Sequence, residues 1–224
     1  MMQRSVVMVM MIGVLALGVC AINVGNAECA DATSSVGVSA TVLGATLTTQ
    51  AKNVSDNQPA VEVGFGSVSA STTYATPSAY IEVAYNANEI NWALEIYTNN
   101  TGWTGSPTGD RGGLIGQVNT NSRVPMLWQV YDGAQASHPV LSQSEVDAGN
   151  WTWVKDKGDS DWVASQDYRR VLAGNATHTW LKGFPGGNGP TSDISPVALY
   201  LGGKFEGNPA DSYSTTVVLD IYHW

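Results

Sequence analysis

Residues Ala79–Tyr97 read AYIEVAYNANEINWALEIY, two strictly alternating runs on either side of a turn-like NANE. Side chains two apart in an extended chain share a face, so Ile81, Val83 and Tyr85 form one apolar face. Ile90, Trp92, Leu94 and Ile96 form another. The pattern predicts a β-hairpin with Glu82 and Glu95 on its wet side. The same period of two recurs in SVGVSATVLG (Val36, Val38, Ala40, Val42) and AVEVGFG (Val61, Val63, Phe65). Further strand-sized runs are RVPMLWQVY, VALYLGG and the terminal YSTTVVLDIYHW.

Helical periodicity is almost absent. SQSEVDA has the form of a capping box, Ser142 with Glu145 three residues on, but no apolar repeat follows. One or two turns are expected there. Glycine-rich connectors at TGWTGSPTGDRGG, YDGAQ and GFPGGNGP separate the runs. The expectation is an all-β fold, a single antiparallel β-sandwich of immunoglobulin-like or jelly-roll type. The stretch 133–190 is poorer in clear strands and reads as a loop-rich insertion.

The N-terminus reads as a secretory signal over residues 1–27. Arg4 precedes an uncharged apolar run that closes on Gly25-Asn26-Ala27, with small residues at −3 and −1 of a cleavage site. The acidic, polar ECADATSS that follows is not a stop-transfer flank, and Val19 before Cys20 does not suit lipidation. A mature chain from Glu28 is therefore expected to be secreted, to the cell surface, the extracellular space or the periplasm, with no membrane insertion after cleavage. It forms one domain over 28–224. With Arg4 removed, 9 basic residues face 19 acidic ones, a net charge of −10, which argues against nucleic acid as a partner. Cys29 alone survives cleavage, so no disulfide within the chain is expected, and a cross-link to a neighbouring subunit is the alternative use. Four sequons, beginning at Asn53, Asn99, Asn150 and Asn175, matter only where asparagine is glycosylated.

Signatures of catalysis are missing: no G-x-S-x-G, H-E-x-x-H, phosphate loop or Cys-x-x-Cys occurs. His138, His178 and His223 are scattered without metal-ligand spacing. Glu82 and Glu95, on adjacent strands of the expected hairpin, resemble the facing carboxylates of a glycosidase, which lie about 5 Å apart or somewhat more. Their alternation places them on the solvated face in any case. No cofactor is expected, and an enzyme is the third reading.

One stretch of the insertion, NWTWVKDKGDSDW from Asn150 to Trp162, supports two further readings. Asp156, Asp159 and Asp161 are candidate calcium ligands around Gly158, but the spacing is not that of a calcium loop and Lys155 and Lys157 lie among them. A self-neutralised turn fits better. Trp151, Trp153 and Trp162 either pack the insertion down or form a platform for a polysaccharide. Trp92 and Trp128, flanked by alternating apolar residues, are expected in the core.

The two ends of the mature chain carry a resemblance. VGVSATVLGATL leading to VEVGFGSVSAS, with its Phe65-Gly66 pair, looks like the opening of bacterial fimbrial and spore coat protein U-type domains. YSTTVVLDIYHW, from Tyr213, is similar to their closing strand. The cysteine pair common in those domains is absent, and the middle is longer and richer in tryptophan. The resemblance implies a secreted structural or adhesive subunit that polymerises by donating its N-terminal strand to a neighbour. An alternating apolar strand on an N-terminal arm has the chemistry to complete a sheet edge in another copy. Alternatively, residues 35–43 pair within their own domain. The expected function is a non-enzymatic, self-associating surface protein; the alternative is a carbohydrate-binding module.

Overall fold

The structure, a computed structural model, describes residues 45–87, 91–98, 112–156, 170–175, 179–181, 190–191 and 196–223. All of these belong to one compact unit, Gly44–Trp224. The expected signal segment, Cys29 and residues 35–43 lie outside the described residues.

The described chain is almost entirely β-structure, in antiparallel sheets. The strands are β1 (Ala45–Asn53), β2 (Tyr74–Ala75), β3 (Ala79–Ala87), β4 (Asn91–Thr98), β5 (Gly113–Gly116), β6 (Arg123–Tyr131) and β7 (Thr152–Trp153). They continue as β8 (Arg170–Asn175), β9 (Thr179–Leu181), β10 (Pro190–Thr191), β11 (Val197–Lys204), β12 (Tyr213–Ser214) and β13 (Val217–His223). One sheet runs β1-β3-β11-β6-β5-β12, with β2 beside β11 and β7 beside β6. The other runs β10-β9-β8-β4-β13. The single helix among the described residues, α1 (Gln143–Asp147), starts at the expected cap, with the Glu145 N–H donating to Ser142 Oγ at 3.3 Å, while the Glu145 carboxylate accepts from Asn150.

The expected 79–97 hairpin is not formed. β3 pairs with β1 and β11 in the first sheet, whereas β4 pairs with β13 and β8 in the second. The inward faces are nevertheless as read: Ile81, Val83 and Tyr85 enter the same apolar cluster as Trp92, Leu94 and Ile96. Alternation reports which face is apolar, not which strand lies alongside. Instead of sharing a ladder, the two strands meet through side chains, with the Tyr85 and Trp92 rings 5.0 Å apart.

That cluster draws Met126, Trp128, Leu199 and Leu201 from the first sheet and Leu172 from the second. Trp92 and Trp128 are 2% and 1% exposed, as expected of core residues. Trp92 lies flat over Gly174, where a Cβ would come within 2.5 Å of the indole. A second cluster covers the opposite face of the first sheet, where Tyr80, Leu127, Ala198 and Tyr200 pack with Trp151.

Two further expectations change. Within 133–190, the loop-rich reading suits the segment around α1, but β8 is an interior strand of the second sheet. Its Val171, Leu172 and Ala173 are fully buried, and a strand buried on both faces carries no alternation to read. AVEVGFG, in turn, is not part of a ladder. Val63 and Phe65 pack against the core, while Val61 is wholly exposed.

Candidate functional site

An open groove of about 810 Å³ lies where that unpaired segment crosses the core. Its floor is apolar, built from Ile81, Leu114, Met126 and Leu201 of the first sheet, Phe205 just beyond β11, and Val217 of the second sheet. One wall is the segment 62–70 and the other is 208–215.

The walls differ in how they are held. On the 208–215 side, the Asp211 carboxylate accepts the N–H groups of Asn119 at 2.9 Å, Val118 at 3.1 Å and Ser212 at 2.7 Å. These bonds, that from Asn119 foremost, hold its carboxyl below the usual carboxylate range. Gly116 is required beneath it, because a Cβ there would sit 2.5 Å from Asp211 Oδ2. The Tyr213 hydroxyl donates to the Pro209 carbonyl at 2.7 Å and lies 2.8 Å from Ser122 Oγ.

The other wall has side-chain anchors only. Phe65 meets Phe205 edge-on with ring centroids 5.2 Å apart, and Gly66 takes a left-handed φ of 63°, which turns the chain after it. Between the Ala60 N–H, bonded to the Ala51 carbonyl, and the Thr72 N–H, bonded to that of Ser69, lies a bare stretch of backbone. Residues 61–68 make no backbone hydrogen bond with any described residue. Backbone donors and acceptors left open by the other described residues, beside an apolar trough, are what an incoming strand can pair with. Among the described residues, the groove lining holds Glu62 and Asp211 as its charged groups and offers no histidine, cysteine or lysine.

The residues singled out from sequence are dispersed. The expected pairing of Glu82 and Glu95 on one wet face does not hold: they stand in different sheets, Glu82 ion-paired with Lys52 at 2.7 Å and Glu95 buried on an interior strand with Arg170 opposite it in register. Trp151 is 3% exposed, and its indole N–H donates to the Val140 carbonyl at 2.9 Å. Trp153 is half-buried on the same face, opposite Leu127. Of the aspartates, Asp156 is buried and accepts the Thr98 hydroxyl. Asp159, Asp161 and Trp162 lie outside the described residues. Among the described residues, no three metal-ligating side chains are placed to share an ion, and no helix is long and apolar enough to cross a membrane. Sequence reading missed the groove because its far wall depends on Asp211 reaching residues nearly a hundred positions away. The one available signal was AVEVGFG, whose alternation marks an edge-like segment.

No protein-family model matches the chain, and no curated protein or solved structure matches it either.

Proposed function

We propose that this is a secreted, non-enzymatic structural or adhesive protein of β-sandwich architecture that self-associates at the cell surface. In this reading the two sheets are the layers of the sandwich, and the groove accepts the N-terminal strand of another copy. The single observation that carries it is the apolar groove bordered by a backbone, at 61–68, that is unpaired among the described residues. Residues 34–43, SSVGVSATVL, complement it chemically: they are uncharged and alternate Val36, Val38, Ala40 and Val42. The resemblance to fimbrial and spore coat protein U-type domains supports the same reading.

Light scattering on the mature protein tests it. We expect concentration-dependent oligomers that disappear on deleting residues 34–43. A monomer both with and without the segment would contradict self-association. The alternative, polysaccharide binding, keeps Trp153 as its partly accessible tryptophan among the described residues. It predicts a fluorescence change on adding polysaccharide that Trp153→Ala abolishes.

A further inference from the structure

We propose that His138 is an acid-sensitive fastener: protonating its ring loosens the segment 132–151 from the outer face of the first sheet. This segment is a cover held to the sheet by side chains: the Tyr74 hydroxyl donates to Gln143 Oε1 at 2.7 Å, and Leu141 and Val146 pack on the aromatic cluster. The Gln135 N–H donates to Tyr200 Oη at 2.7 Å, the Val140 carbonyl accepts the Trp151 indole N–H, and Leu141 seats against Gly202. Beneath it lies an aromatic layer in which Tyr200 stacks on Tyr80 at 5.3 Å and meets Tyr131 edge-on at 5.8 Å.

His138 sits at the seam. Its ring lies parallel to that of Trp151 with centroids 6.1 Å apart and meets Tyr200 edge-on at 5.1 Å. Nδ1 is 3.1 Å from the Pro139 carbonyl, whereas Nε2 is buried without a hydrogen-bond partner. A neutral ring tolerates this; a charged one must also place a second N–H, and the Leu201 carbonyl, which favours the imidazolium, does not make up for burial.

The groups packed around the ring are mostly unable to offset a charge. Tyr80, Tyr131 and Tyr200 are all tyrosines held above their ordinary range by burial, so they stay neutral. On α1 and its flank, Glu145 accepts from Asn150 and Asp147 from Gln143, while Asp132 is exposed. The carbonyls of Pro139 and Leu201 favour the imidazolium, as does the Trp151 face at the limit of cation–π reach. Burial outweighs them and lowers the proton affinity of the ring. The opened form therefore binds the proton more tightly. The cover is fully fastened above about pH 6.5 and loosens as pH falls from there to the ring's own lowered titration point, about tenfold per pH unit.

Hydrogen exchange of the mature protein between pH 5 and 7.5, corrected for intrinsic rates, tests this. Peptides from 132–151 should open up to tenfold more per unit of acidification while those of β3 and β11 stay protected. His138→Leu should abolish that dependence, and His178→Gln and His223→Gln should keep it. Protection of 132–151 that ignores pH, or an identical pH response in His138→Leu, would overturn the proposal. Should His138→Leu fail to fold, NMR titration of the wild-type ring decides: a titration point below 6.5 supports the proposal and one at or above it refutes it.

Discussion

Gly174 and Trp92 illustrate how tightly single positions are set. A methyl group at residue 174 would lie 2.5 Å from the indole, which is itself 2% exposed and has no room to retreat. Gly174→Ala should cost about 1–3 kcal/mol, read as a lower urea midpoint with an unchanged slope. Asp211 shows a different dependence, on proton concentration. Its folded carboxyl lies below the ordinary carboxylate range, so the unfolded chain takes up the proton first as pH falls. Its contribution is present above about pH 4 and is lost as pH drops through the lowered value. Asp211→Asn should weaken the protein at neutral pH and flatten this acid loss, as denaturation between pH 2.5 and 5 would record. Neither position announces itself in the sequence. Gly174 is one of 24 glycines, and the amides that Asp211 holds are fixed by the fold rather than by spacing.

At the level of elements, the apolar faces of β3 and β6 were legible because a half-buried strand alternates, and that of β4 because Ala93, Glu95 and Tyr97 interrupt its large apolar residues, although they too are buried. Their neighbours were not legible, since Ile81–Tyr85 and Trp92–Ile96 satisfy the same core whether they pair or oppose. β8 was unreadable for the opposite reason: Val171, Leu172, Ala173 and Gly174 are all buried, and no polar face marks the strand. Leu172→Ala should cost about 2–5 kcal/mol by urea denaturation. A cost under about 1 kcal/mol would mean that β8 does not carry core packing. The tryptophan pair 151/153 was correctly placed on one face, but which way that face looked depended on the distant Tyr80 and Tyr200. It packs onto the first sheet, and Trp151 is spent on anchoring the cover.

For the molecule as a whole, charge and groove act together. Copies with a formal charge of −9 each repel, so a segment that brings them together is best uncharged, and residues 34–43 are. Added salt should therefore strengthen association, whereas contacts made by ion pairs would weaken. The most direct measurement adds a synthetic peptide of residues 34–43 to a chain lacking them and follows amide hydrogen exchange along 61–68. The account predicts that these amides, open in the free chain, become protected as the peptide saturates, with a rise in thermal stability. Unchanged exchange along 61–68 at saturating peptide would contradict it.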